Sequence, residues 1–349
     1  MRANGKILKN RKEKTMIFQN IDFHNVSELT ENGDGGYTMH RFPVSVEEEL
    51  SDQGKIANKV STGVELRFRM ISDSVKIKLK YSGKATNVNV YRGGVIGSWD
   101  EVEVPIIGGE VYELTVAKKN TEALEKINNA AHFGFSHEIV RVVFNSASLD
   151  FYGIDGEVLP PEKEQLPEKT YLAYGSSITH GSNAVAIPSS FAFRVAEQLR
   201  TDYLNLGLAG ACRMEKGVID TIAAMGAEGK WDFATVCLGI NVLGMEEAEF
   251  RSRVRYTVET ITAKNPEKHV FFISPIFCHN DMIDVKAARW REVVGEETMR
   301  ITSPFVHYIN GLELLGDPSG LSGDYVHPSP MGIDQITSKL VEKISTFIN

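Results

Sequence analysis

Two adjacent serines, Ser176 and Ser177, lie in the segment "YLAYGSSITHGSNA", between a short apolar run and a glycine-punctuated turn. A strand that breaks sharply into a helix can hold a serine hydroxyl out over the end of a sheet. Such a hydroxyl becomes a nucleophile when a histidine takes its proton and a carboxylate holds that histidine in the right tautomer. The segment "DYVHP" near the C-terminus supplies both partners, Asp324 and His327. They stand three residues apart, so a single turn can present them together, with Asp324 on Nδ1 and Nε2 left for the serine. The oxyanion formed on attack needs donors fixed in advance. The backbone N–H of Ser177, that of Gly210 in "NLGLAG" and the side-chain amide of Asn241 in "GIN" are the candidates. Together these groups can perform acyl transfer without a cofactor.

Other residues compete for attention. His180, three positions after Ser177, could line the pocket or simply begin a helix. Arg213, after Gly210, could contact substrate or orient its loop, and Tyr37 and Arg41 in "GGYTMHRFP" could reach a substrate from the N-terminal half. His279 and Asp281 in "CHNDMID" are too few for a metal site, which needs three or four convergent ligands, so no metal is expected. The glycine-rich "GSSITHGS" lacks the Gly-Lys-Ser/Thr ending of a phosphate loop. Cys237 sits inside an apolar strand and reads as core.

The elements that must position these residues fall into two groups. From Ser61 to Val143 the pattern alternates: "VELRFRM", "VKIKLKY", "NVNVYRG", "EVEVPI", "VYELTV" and "IVRVVF" read as short half-buried strands of an antiparallel sandwich or jelly roll, with one helix over 121–131. "LPPEKEQLPEK", residues 159–169, has three prolines and a run of charges and reads as a linker. Beyond it the period changes. "TYLAYG", "DYLNLGL", "FATVCLGI", "HVFFISPI" and "FVHYING" alternate with helical stretches such as Phe250, Val254, Val258 and Ile261 on one face. The result is a five-stranded parallel sheet between helices, closed by a C-terminal helix carrying Ile333, Ile336, Leu340, Ile344 and Phe347. In such sheets ligands sit at the carboxyl ends of the strands, where every catalytic candidate lies.

Composition narrows the partners. The chain has 349 residues, 42% hydrophobic and 24% charged, with a formal charge of -8. That balance disfavours nucleic acid and anionic membranes, which call for a basic surface. Cys212, Cys237 and Cys278 are widely spaced and odd in number, which suits free thiols in the cytoplasm. Residues 1–15 are basic, lack an apolar signal core and read as a disordered leader ahead of a sandwich domain over 16–158. A homo-oligomer is left open.

At these residues the chain resembles the SGNH or GDSL serine hydrolases. The family's nucleophile block, most often Gly-Asp-Ser-Leu, matches "GSSIT" with Ser177 at the serine and Ser176 at the aspartate. Gly210 and Asn241 match the glycine and asparagine of the next blocks, and "DYVH" matches the Asp-x-x-His block, all in order from Tyr171 onward. Two departures mark a subgroup: Ser176 stands for the usual acid, and Val242 for the aspartate often found after the asparagine. The resemblance implies a flavodoxin-like α/β/α hydrolase domain over 170–349. Its implied catalytic set is Ser177, His327 and Asp324, with Ser177, Gly210 and Asn241 around the oxyanion. Two-domain members with a leading β-sandwich look like esterases of acylated sugars. The expected activity is therefore hydrolysis of short-chain esters, such as O-acetyl groups on carbohydrates or small polar alcohols. The alternatives are an acyltransferase, thioesterase or lysophospholipase built on the same triad, or a non-catalytic carbohydrate-binding protein.

Overall fold

The alternating pattern of the N-terminal half closes into two antiparallel sheets. In the computed structural model, which describes residues 7–9 and 15–348, one sheet orders six strands: Ile7–Lys9, Glu28–Glu31, Tyr37–His40, Leu149–Asp155, Ser74–Tyr81 and Val111–Ala117. The other runs Val104–Ile107, Ala85–Arg92, Ile139–Phe144, Glu65–Met70, Ile21–His24 and Ile17–Phe18, with Val95–Ile96 and Val158–Leu159 paired alongside. Side chains of one parity, among them Leu66, Phe68, Ile77, Leu79, Val90 and Val142, form a shared core. Phe23 and Phe151 meet there edge to face at 4.9 Å, the arrangement favoured by ring quadrupoles. The expected helix spans Thr121–Ala131, because the Asn120 side chain accepts from the N–H groups of Glu122 and Ala123 and caps its start.

Three expectations need correction here. Ile7–Lys9, read as part of a disordered leader, pairs as a strand with Glu28–Glu31; the rest of that leader up to residue 14 lies outside the described residues. The segment over 159–169, read as a linker, is not a loose tether. The Gln165 carbonyl accepts from the Ser136 N–H at 2.9 Å, and Arg69 donates to Glu162 at 2.7 Å, so hydrogen bonds hold the proline-rich segment in place. Strand Glu65–Met70 is buried on both faces, because its polar side closes over ion pairs. Glu65 accepts from Arg67 and Arg141, each at 2.7 Å, and Arg67 grips both oxygens of Asp202 at 2.7 Å.

Two guanidiniums thus balance two carboxylates, and a third buried carboxyl, Asp22, finds no hydrogen-bond partner for either oxygen. Burial pushes its pKa from 3.8 up to about 7, with Asp202 and Glu65 adding to the rise and Arg67 opposing it. An acid raised in the folded state keeps a proton that the unfolded chain has released. Its stabilising contribution is present below about 4 and is lost as pH rises toward about 7. Asp22→Asn is therefore expected to raise the melting temperature at pH 7.5 and to gain little at pH 4. A destabilised variant at pH 7.5 in calorimetry would contradict this account.

The second half supplies five strands: β1 (Thr170–Tyr174), β2 (Asp202–Asn205), β3 (Phe233–Cys237), β4 (Val270–Ile273) and β5 (Val306–Ile309), in the order β2-β1-β3-β4-β5. The β1–β3, β3–β4 and β4–β5 pairs are parallel. Six helices matter for the site: α1 (Ser177–His180), α2 (Phe191–Leu199), α3 (Lys216–Ala227), α4 (Glu247–Lys264), α5 (Lys286–Met299) and α6 (Pro330–Ile348). Helix α6 packs on α2, α3 on α4, and α4 on α5. The face expected in α4 is buried throughout, as are Ile333, Ile336, Leu340 and Ile344 of α6. Phe347 is the exception. It stays partly exposed and lies against the His307 ring, 4.1 Å away between centroids.

The two compact units do not follow the sequence order strictly. The sandwich unit takes in Asn58–Glu168 and Arg200–Asp202 along with the chain up to Val44. The sheet-and-helix unit takes Ser45–Ala57 along with Lys169–Leu199 and the chain from Tyr203. Among the described residues no helix is long and apolar enough to cross a membrane.

Candidate active site

Strand order reverses between β1 and β3, which opens a crevice at their carboxyl ends. Ser177 stands at the first position of α1, directly after β1. Ser176 caps that helix, its Oγ accepting the Ile178 N–H at 3.3 Å. A serine can therefore do the local work of the aspartate usual at this position. The Ser177 Oγ lies 2.7 Å from His327 Nε2, and His327 Nδ1 lies 2.7 Å from Asp324 Oδ2. An ionised carboxylate only accepts, so Nδ1 carries the proton, and Nε2 is left to receive the one on Ser177. Burial acts to raise the Asp324 carboxyl. The N–H groups of His327 and Val326, the imidazole and Ser322 outweigh it and hold the group well below the usual carboxylate range. The carboxylate thus stays ionised through the whole working range of an imidazole base.

Three donors face no protein acceptor among the described residues: the Ser177 N–H, the Gly210 N–H and the Asn241 amide nitrogen. Asn241 is oriented by its own oxygen, which accepts the Cys212 N–H at 3.1 Å and so joins the loop after β3 to the loop after β2. Gly210 has φ +69, a conformation that other L-residues rarely adopt. The loop after β2 is also tied to the nucleophile turn, because the Leu208 N–H donates to the Gly175 carbonyl at 2.8 Å. Donors fixed in this way cost no reorganisation when negative charge develops. Asn241→Ala is expected to lower kcat about 100- to 1000-fold with a much smaller change in KM, read by steady-state kinetics. A near wild-type kcat would remove Asn241 from the chemistry.

The weaker candidates separate cleanly. His180 is buried, and its Nδ1 lies 3.1 Å from the Gly207 carbonyl. The backbones approach so closely that a Cβ on Gly207 would fall 2.4 Å from the His180 nitrogen. His180 therefore braces the loop after β2. Arg41 is 3% exposed and donates through Nε to the Val60 carbonyl at 2.9 Å. Tyr37 packs edge-on against Phe18, with 4.8 Å between ring centroids. Arg41 is thus held inside the sandwich unit, while Tyr37 is half-buried at the margin of its core. Arg213 is exposed, three residues after Gly210, and its carbonyl accepts from Arg253.

Asp281 is held in a bidentate pair with Arg291 at 2.6 and 2.7 Å, which accounts for it structurally. Burial pushes the Cys237 thiol up to about 12 and raises Cys212 as well, so neither offers a thiolate nucleophile. Val242 turns into the core, where its carbonyl accepts from Trp290.

Sequence reasoning missed two sets of residues. Asn183 and Ser322 hydrogen-bond to Asp324. Glu49 and Gln53, which read as part of the N-terminal domain, reach the loop after β2: Gln53 donates to the Ala209 carbonyl at 3.2 Å, and Glu49 accepts the Gly217 N–H at 2.8 Å at the start of α3. An apolar cavity lies beneath the nucleophile turn, lined by Ile178, Phe191, Ile240, Ile276, Leu314 and Leu340. Neither Ser177 nor His327 borders it, which places it in the supporting core.

A sheet of this order with Ser177 just past its first strand, met by His327 and Asp324 from the loop before α6, defines a serine hydrolase of the SGNH type. The GDSL-like lipase/acylhydrolase family matches residues 168–345, just over half the chain, and the chain belongs to that family; it is a carboxylic ester hydrolase. Solved structures share its architecture at low identity. The salicylyl-acyltransferase SsfX3 from a tetracycline biosynthetic pathway is 15% identical over 99% of this chain and 98% of its own, with a TM-score of 0.76. A family two carbohydrate esterase from Cellvibrio japonicus is 12% identical over 98% of both chains, TM-score 0.63. Another from Clostridium thermocellum, solved in complex with cellohexaose, is 15% identical over 81% of this chain and 91% of its own, TM-score 0.57. No curated protein sequence matches the chain.

Proposed function

We propose that the protein hydrolyses short-chain O-acyl esters, acetyl groups above all, on sugars or small polar alcohols through an acyl-enzyme on Ser177. The observation that carries this reading is the unbroken relay from Ser177 through His327 to Asp324, at 2.7 Å for each link, beside three unspent donors. His327 takes the Ser177 proton as Oγ attacks the ester carbonyl. The Ser177 and Gly210 N–H groups and the Asn241 amide then hold the oxyanion. The intermediate collapses with loss of the alcohol, which takes its proton from His327. Water, activated by the same imidazole, releases the acid and regenerates the serine. Arg213, exposed three residues after Gly210, is the candidate contact for a polar alcohol.

The carbohydrate preference draws its support from the fold shared with family two carbohydrate esterases. The expected setting is the cytoplasm, where the three free thiols persist. A panel of p-nitrophenyl esters of rising chain length, together with acetylated mono- and oligosaccharides, tests the reading by acid release and product analysis. Acetate release from the sugars with declining turnover of longer chains is expected. Preference for long chains, or transfer to an added alcohol in place of hydrolysis, would overturn it.

A further inference from the structure

We propose that Asn183 is a positioning residue of the catalytic machinery, holding the Asp324 carboxylate and, through it, the register of His327 against Ser177. The proposal rests on the hydrolase reading above. Asp324 differs from a deeply buried triad acid: its side chain is 43% exposed, so water competes for both of its oxygens. Five protein donors compensate. Oδ1 accepts from Ser322 Oγ at 2.9 Å, from the Val326 N–H at 3.0 Å and from the His327 N–H at 2.9 Å. Oδ2 accepts from His327 Nδ1 at 2.7 Å and from Asn183 Nδ2 at 3.0 Å.

Four of these donors belong to the loop that carries Asp324 itself. Asn183 alone comes from elsewhere, from the turn that ends α1. Its second amide hydrogen goes to Ser322 Oγ at 2.8 Å, and Ser322 in turn donates to Asp324. Both acceptors fix which way the amide points, since a carboxylate and a hydroxyl already donating to it can only receive. The turn is short and rigid: the Gly181 and Ser182 N–H groups both donate to the Ser177 carbonyl, at 3.0 and 2.9 Å. Asn183 therefore clamps the acid-and-base loop to the backbone of the nucleophile, six residues from Ser177. It sits at φ +64, the left-handed region in which asparagine is several-fold enriched.

The test uses a double-mutant cycle on the full chain. Asn183→Gly keeps the left-handed backbone while removing the amide. It is expected to lower kcat about tenfold with KM within about twofold, the pattern of a group that matters only as the transition state forms. In an Asp324→Ala background the same change should cost nothing, because Asn183 then has no carboxylate to hold. Asn183→Asp places a second carboxylate beside Asp324 and should lower kcat further. It should also move the acidic limb of kcat/KM to higher pH, since added negative charge favours the imidazolium. Ser322→Ala, which leaves the αL turn untouched, serves as the second variant and should show the same silence in the Asp324→Ala background.

Equal losses in both backgrounds, or an Asn183→Gly enzyme with wild-type kcat, would overturn the proposal. Ser177→Ala, run in parallel, separates the two levels of the argument. If it too retains activity, the hydrolase reading has failed; if it is inactive while Asn183→Gly is unimpaired, only the clamp has failed.

Discussion

Ser177→Ala is expected to abolish ester hydrolysis, a loss of roughly 10^4- to 10^6-fold in kcat, of the size known for loss of a triad serine. Ser176→Ala should keep a substantial fraction of activity. The contrast follows from position. Ser177 Oγ lies 2.7 Å from His327 Nε2, whereas Ser176 Oγ faces the helix backbone and accepts the Ile178 N–H at 3.3 Å. Removing the cap costs helix stability, about 1 kcal/mol in typical cases, and leaves the relay intact. An organophosphonate should label the protein once, on Ser177. An adduct mapped by mass spectrometry to Ser176, or full activity in Ser177→Ala, would sink the assignment.

The second large effect is expected at the acid. Asp324→Asn should lower kcat roughly 10^3- to 10^4-fold, as loss of the correct histidine tautomer does elsewhere. Asparagine is close to isosteric, yet it has one accepting oxygen where the site aims five donors at two. If the amide oxygen takes the Oδ1 position, its NH2 group meets the Nδ1–H of His327, which must then move its proton to Nε2 and cease to be a base toward Ser177. The opposite flip leaves the loop N–H groups of Val326 and His327 facing an NH2. That flip keeps Nε2 as an acceptor but strands two loop donors, so the first arrangement, in which the serine loses its acceptor, is the favoured one. The measurement is kcat on an activated ester with folding checked by circular dichroism, and a variant within about tenfold of the parent would show that His327 needs no carboxylate here.

The sequence alone determined the strand periods, and through them the antiparallel and the parallel halves, because side-chain alternation and apolar runs are local properties that survive into the fold. "VKIKLKY" became Ser74–Tyr81 with Val75, Ile77 and Leu79 buried, and "HVFFISPI" became a fully buried parallel strand. It also marked the candidate catalytic set, Ser177, Gly210 and Asn241 by the strand ends and turns they follow, and Asp324 and His327 by their three-residue spacing. Tertiary structure decided what depends on partners distant in the chain. "VELRFRM" alternates, yet Glu65 and Arg67 are buried, because Arg141 and Asp202 neutralise them. His180 and Arg41 read as candidate substrate contacts, but what holds them, the Gly207 and Val60 carbonyls, lies 27 and 19 positions away. Nothing in the sequence around Asn183 marked it out. Its amide meets Asp324 across 141 positions, and only the packing of the turn after β1 against the loop before α6 brings them within 3.0 Å. Residues that do the chemistry announce themselves by type and spacing, whereas residues that hold them still are defined by long-range geometry, which no local pattern encodes.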